Sequence, residues 1–268
     1  MSRGRGISGL DRVRALLQRL GWIFTAERLP ELIEQGVREE LSLAAFVEFL
    51  VESEASSREE RRVTRGLKQS HLPIGRTLDS FDFLFNRSIE REKIEMLATC
   101  EFVRRKETIL LLGPPGTGKT HLAAALGMKA VQNGFSVRFL EADELIESMR
   151  KVKDGNAYSD RPRYLTANVL IIDELGFQAL DRRDAHRLFQ VVNQRYERAS
   201  TIITSNKSIT EWPAMLAGDE ALASAILDRL LHHCHVIQTD GASYRLRHIE
   251  QQLKLQPNLS RGTAAEMP

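Results

Sequence analysis

The stretch LLLGPPGTGKTHLAAALG, residues 110–127, constrains this chain more than any other. An apolar run breaks into glycines and a lysine and then resumes helical spacing, so it reads as strand, turn and helix. Gly113, Gly118, Lys119 and Thr120 fit the pattern G-x-x-x-x-G-K-[ST]. Glycines let the backbone from Gly113 through Pro114, Pro115, Gly116, Thr117 and Gly118 curl, so that several N–H groups face one phosphate. The following helix adds the positive end of its dipole. Lys119 would reach the outer phosphates of a nucleoside triphosphate, the Thr120 hydroxyl would ligate magnesium, and His121 completes the nucleotide-binding segment. The expected cofactors are therefore ATP and Mg2+.

The turn sits in an alternating pattern. Apolar runs at 108–113, 136–142, 168–174 and 200–206 read as strands, with helical stretches at 120–133, 143–151 and 181–198 between them. Near-continuous apolar strands separated by helices predict an α/β fold with a parallel sheet covered on both faces. Before it lies a different region. Leu10, Val13, Leu17 and Leu20, then Leu43, Phe46, Val47 and Leu50, repeat at helical spacing and predict a small all-helical domain over residues 1–57. Residues 58–76 carry six basic against two acidic side chains, with Gly66, Pro73 and Gly75 breaking the pattern, and read as a helix tail entering a linker. The ATP-binding domain then takes residues 77–268.

Fifty-four residues after Lys119, VLIIDE ends an apolar strand in two adjacent carboxylates. Asp173 can hold magnesium, and Glu174 can orient and deprotonate an attacking water. A parallel sheet brings such strand ends to one edge. The next strand ends in Thr204, Ser205 and Asn206. Asn206 could sense the γ-phosphate, and an ordinary turn residue is an equal reading. Arg229 lies beside Asp228 on a helical stretch, where a solvated surface pair is the plain alternative, as it is for Arg245. His232, His233, Cys234 and His235 read as a helix end entering a strand, because adjacent residues cannot all converge on one ion. Phe81, Phe83 and Phe85 read first as core packing.

Composition excludes several classes. The chain of 268 residues has a net charge near +2, so nucleic-acid affinity must come from a local patch. Two cysteines give no disulfide framework, and no apolar stretch reaches the length of a signal or membrane span, so a cytoplasmic protein is expected.

Taken in order, the phosphate loop, VLIIDELGF, YERASTIITSNKS, EW and AILDRLLHHCHVI resemble the IstB-like ATPases. These are helper proteins of insertion-sequence transposition in the AAA+ class, related to the DnaC-type helicase loaders. The resemblance runs from TLDSFDF at 77 to SYRLR at 247 and more loosely through the amino-terminal helices. It implies a P-loop AAA+ ATPase with Lys119, Asp173, Glu174, Asn206, Arg229 and Arg245 as catalytic residues. Within it Asn206 takes the first sensor position, Arg229 acts as an arginine finger on ATP bound by a neighbouring copy, and Arg245 falls near the second sensor. The aromatic segment at 81–85 would then also lie near the adenine.

The implied partners are duplex DNA, a transposase and further copies of the chain in an ATP-dependent oligomer, with no membrane. Two alternatives share the core: a replicative helicase loader, and a nucleotide-switched scaffold with little turnover. Two basic patches are candidates for DNA. One is Arg58, Arg61, Arg62, Arg65 and Lys68; the other is Lys151, Lys153, Arg161 and Arg163. A solvated helix face is an equal reading of the first.

Overall fold

The structure, a computed structural model, describes residues 9–151, 162–244 and 246. The chain folds as two compact units, Met1–Arg65 and Gly66–Pro268.

The first unit is all helical. It holds α1 (Gly9–Arg19), α2 (Ile23–Glu27), α3 (Leu29–Arg38) and most of α4 (Leu43–Ser70). Its core is small: Ala26, Leu29 and Leu32 are buried, and Gly36 lies where a Cβ would meet the Phe46 ring at 2.5 Å. At its centre is a carboxylate. The Glu54 side chain, 2% exposed, accepts from Thr25 N at 3.0 Å and Thr25 Oγ1 at 3.1 Å. Arg58 Nε reaches its other oxygen at 3.0 Å, and Arg61 lies 3.6 Å away. Burial pushes this carboxyl up, but the bonds from Thr25 and Arg58 outweigh it and hold Glu54 below the ordinary carboxylate range. The apolar stripes seen in the sequence enter this core only in part, through the partly buried Leu17, Phe46 and Leu50. Helix α1 buries no residue, and Leu10, Val13 and Leu20 on it or just past its end, with Leu43 and Val47 on α4, are exposed.

Of the three expected breaks, Gly66 does not interrupt the helix. Helix α4 runs through it to Ser70, and glycine is needed there because a Cβ would come within 2.7 Å of Val131. Pro73 and Gly75 follow the helix end.

The second unit continues with α5 (Arg91–Ala98), α6 (Glu101–Arg105), β1 (Thr108–Leu112), α7 (Lys119–Gln132), β2 (Val137–Glu141) and α8 (Ala142–Lys151). After them come α9 (Arg163–Thr166), β3 (Val169–Asp173), α10 (Arg182–Arg195) and β4 (Ser200–Ser205). The last elements are α11 (Trp212–Met215), α12 (Glu220–Leu231) and β5 (Cys234–Gln238).

The five strands form one parallel sheet in the order β2-β3-β4-β1-β5. Every residue of β1, β3 and β4 is buried, as expected for strands covered on both sides. Alternation divides their side chains. Leu110, Leu112, Leu140, Leu170, Ile172 and Ile203 share a core with Leu145, Leu188, Val192 and Ile226 of α8, α10 and α12. On the other face α7 touches β1 to β4, with Gly127 seated close on Ile171. Side-chain caps start two of the covering helices: Asp181 accepts from Asp184 N, and Asp219 from Leu222 N.

Register then fixes the working edge. Leu112 pairs with Ser205 and Ile172 with Ile203, so the ends of β1, β3 and β4 emerge side by side. Strand β1 lies between β4 and β5, where the chain order switches, which is where open α/β sheets bind ligands.

Candidate functional site

The loop leaving β1 turns back over its own strand. Gly113 has φ 143°, and a Cβ there would lie 1.9 Å from Thr239 O; Gly118 has φ 97°, with a Cβ 2.6 Å from the Phe81 ring. No other residue fits either place. Lys119 Nζ donates to Gly113 O at 2.6 Å and Pro114 O at 2.7 Å. A phosphate oxygen offers that ammonium a charged acceptor in exchange for neutral ones.

Several residues outside the motif brace the loop. Thr117 Oγ1 bonds Pro114 O at 2.9 Å and meets the Thr239 hydroxyl at 2.6 Å. Buried Asn86 donates from Nδ2 to Thr117 O at 3.0 Å, and Tyr244 N donates to Gly116 O at 3.0 Å. The sequence carries no local sign of these partners, because each lies far along the chain from the loop it supports.

Beside the loop opens a cavity of about 460 Å³ lined by Arg76, Phe81, Phe85, Asn86, His121 and Tyr244 along with the loop itself. Its size suits a small-molecule ligand. Phe81 and Phe85 are half-buried cavity walls rather than core, with Phe85 edge-on to Tyr244 at 5.1 Å. Phe81 meets the His121 ring edge at 5.2 Å. His121 Nε2 lies 2.7 Å from Thr77 O, a bond that requires its proton on Nε2. Burial pushes this imidazole below its ordinary value, so it is neutral at pH 7.

Across the loop stand the acids. Buried Asp173 Oδ1 accepts from Thr120 Oγ1 at 3.0 Å and from Thr204 Oγ1 at 2.5 Å. The same Thr204 hydroxyl accepts from Glu174 N at 2.9 Å. One buried threonine therefore fixes both acids. Glu174 is exposed and adopts φ 59°, which turns its side chain off the strand line. The hydroxyl of Thr120 and the carboxylate of Asp173 place two hard oxygen ligands together, the donor set that Mg2+ prefers, so these residues fit the ion. Glu141, paired with Asp173 in register, is pushed up by burial and by Glu144, Glu174 and Asp173, a sign of crowded negative charge at this edge. Asn206 follows β4 and is exposed.

Arg229 is not at this edge. Its Nε donates to Asn193 Oδ1 at 2.9 Å, its NH1 to Ala225 O at 2.8 Å, and its guanidinium stacks over Phe189 at 5.0 Å. The surface pair with Asp228 does not form. Arg229 instead lines a recess with Thr108 and Thr201, at the starts of β1 and β4. The five residues of β1, about 13 Å of strand, separate that recess from the phosphate loop.

Arg245, Lys153 and Arg161 lie outside the described residues. Of the basic candidates, Arg58 and Arg61 serve Glu54, and Arg62 pairs with Glu59 at 2.5 Å. Arg65, Lys68 and Arg163 are at least partly exposed, and Lys151 pairs at the surface with Glu147 at 3.3 Å. His232 and His233 do converge with Glu197, their ligand atoms all within 4.8 Å, but the group is exposed and Tyr196 OH already meets His232 Nδ1 at 2.7 Å. Among the described residues no helix is long and apolar enough to cross a membrane.

The family described as "IstB-like ATP binding protein" matches residues 15–252. The chain belongs to that family. Its relatives include the ATP-binding protein of insertion sequence IS21 from Pseudomonas aeruginosa, 42% identical over 89% of this chain and 90% of the relative. The corresponding protein of IS5376 from Geobacillus stearothermophilus is 41% identical over 88% and 94%. Among solved structures, DnaI aligns with a TM-score of 0.52 at 22% identity, covering 61% of this chain and 90% of that one. The IstB-like chain thus carries the P-loop AAA+ fold.

Proposed function

We propose that this IstB-like protein hydrolyses ATP in the presence of Mg2+, within an assembly of several copies on duplex DNA, and promotes a partner transposase in the cytoplasm. The triphosphate would lie in the loop from Gly113 to Thr120, with Lys119 on its outer oxygens and the purine against Phe81, Phe85 and Tyr244. Mg2+ held by Thr120 and Asp173 would neutralise charge on the phosphates. Glu174 would take a proton from a water as its oxygen bonds to the γ-phosphorus. The bond to the bridging oxygen breaks, leaving ADP and phosphate. Asn206, just past the end of β4, would orient that water, and Arg245 would follow the nucleotide from the segment beyond Tyr244.

The observation that carries the reading is Arg229: held ready, half-exposed, and a strand's length from its own phosphate loop. Such a group can neutralise transition-state charge only on a neighbour's nucleotide. Relatives named for insertion sequences support the transposition partner. For DNA, both patches remain candidates: Arg58, Arg61 and Arg62 of the first pair with acids, as Lys151 of the second does with Glu147, and more weight is put on the stretch from Lys151 to Arg163 because it lies in the excursion between β2 and β3. The test mixes Arg229→Ala with Glu174→Gln protein, each inactive alone, with and without duplex DNA at low salt. Recovered turnover, raised further by DNA, is expected. Mixtures that co-assemble without recovery would refute the shared site, and a protein that ignores duplex DNA with ATP present would remove DNA from the reading.

A further inference from the structure

Three features hold Arg229, and two come from α10. Phe189 and Asn193 lie four residues apart, hence one above the other on the same helix face. Phe189 offers a ring to the guanidinium at 5.0 Å, and Asn193 Oδ1 takes the Nε proton at 2.9 Å. The third, Ala225 O, comes from the arginine's own helix at 2.8 Å. Among the described residues no carboxylate ion-pairs with Arg229, although Asp228 is its neighbour in sequence and Glu197 lines the same recess. A neutral amide and an aromatic face therefore orient this cation without cancelling its charge. That is unusual for a half-exposed arginine, which otherwise samples many rotamers or pairs with an acid.

We propose that Asn193, assisted by Phe189, is a positioning residue for Arg229, keeping it set to meet the triphosphate of a second copy of this chain. The inference rests on the reading of Arg229 as a group that acts in trans. A guanidinium tied through Nε and one NH1 proton has its remaining N–H groups available to phosphate oxygens. Ordering it in advance removes an entropy cost that would otherwise fall on the encounter. Asparagine suits the place better than aspartate, which would hold the arginine equally well but offset its charge.

The test compares steady-state turnover of Asn193→Ala and Phe189→Leu with the parent, at protein concentrations where turnover per chain no longer rises. Asn193 is exposed, so the fold is expected to survive, and matching thermal melts would establish that. Asn193→Ala is expected to lower turnover at saturating ATP about tenfold. Phe189→Leu should lower it about two- to fivefold. Nucleotide affinity should stay within about twofold of the parent in both, because each variant's own phosphate loop is untouched. Mixing Asn193→Ala with Glu174→Gln should restore turnover, since sound Glu174 sites then meet a neighbour with an ordered Arg229. Slow turnover that mixing does not restore would overturn the proposal by placing the effect within one subunit. Parental turnover in Asn193→Ala, with Arg229→Ala inactive, would overturn it while leaving the shared site standing. Parental turnover in Arg229→Ala would remove the shared site itself, and the proposal with it.

Discussion

The two ends of one parallel sheet treat positive charge in opposite ways. At the strand starts, Arg195 is 2% exposed and bonded to Tyr164 O, Ala167 O, Ser200 O and Thr201 Oγ1. Its four partners come from α9, the loop after it and β4, so it acts as a staple of the fold. Burial pulls it down to about 10, and it remains charged at neutral pH. At the strand ends, Lys119 rests on two carbonyls of a loop shaped by glycine, ready to exchange them for a phosphate. The first cation is sealed inside the fold; the second is partly exposed on a loop whose carbonyls a phosphate can replace. Arg229 shares a recess with Arg195 yet belongs with Lys119 in character, because it makes two side-chain hydrogen bonds where Arg195 makes four, and it is partly exposed where Arg195 is buried. What separates these cations is whether each is sealed among its partners or reachable from solvent, rather than where it sits in the sheet.

The contrast can be broken most strongly at the staple. Arg195→Met removes the one donor group shared by three buried carbonyls and a hydroxyl, and should cost about 3–5 kcal/mol of stability. Chemical denaturation measures this, and a loss under about 1 kcal/mol would show that Arg195 is not structural. At the other end, Glu174→Gln should fold normally and bind ATP, while turnover falls about 10²- to 10³-fold. A glutamine variant that turns over like the parent would remove Glu174 from catalysis. Thr204→Val keeps the shape of that side chain but removes the hydroxyl shared by Asp173 and Glu174. Turnover should fall about ten- to thirtyfold, recovering in Thr204→Ser, and an unchanged rate would show the acids hold themselves. The smallest effect is acidic. His121 sits below its ordinary value of 6.5, so as pH falls the unfolded chain takes a proton before the folded one. Its contribution is complete above pH 6.5 and is lost below, and His121→Gln should flatten thermal stability between pH 7 and 5. An equally steep acid decline in that variant would assign the effect elsewhere.

How much the sequence discloses follows the same division. The strands β1, β3 and β4 and helix α7 are legible to within a residue, because burial on both faces leaves continuous apolar runs, whereas α10 ends three residues before the expected 198. The loop is legible because its glycines and lysine are consecutive. Asp173 and Glu174 are legible because a parallel sheet must bring strand ends together. Nothing local marks Thr239 or Asn86 as supports of that loop, since their contacts exist only after β5 pairs with β1 and residue 86 folds back. Asn193 is silent for the same reason: its bond to Arg229 depends on how α10 lies against α12. The amino-terminal region misleads differently. Its helical spacing is real, but Leu10, Val13 and Leu43 are exposed, and a buried acid at Glu54 with its ring of donors sits within the same small unit as the apolar core of Ala26, Leu29 and Leu32.

The left-handed backbone at Glu174 has a further consequence for how such a protein can change over generations. A side chain in that conformation costs on the order of 1 kcal/mol, which glycine would avoid. A single substitution could therefore yield a sturdier chain that still binds ATP yet lacks the carboxylate here proposed to activate water. Drift under selection for abundance alone runs toward that inert form, and only a continuing demand for turnover keeps the glutamate where it is.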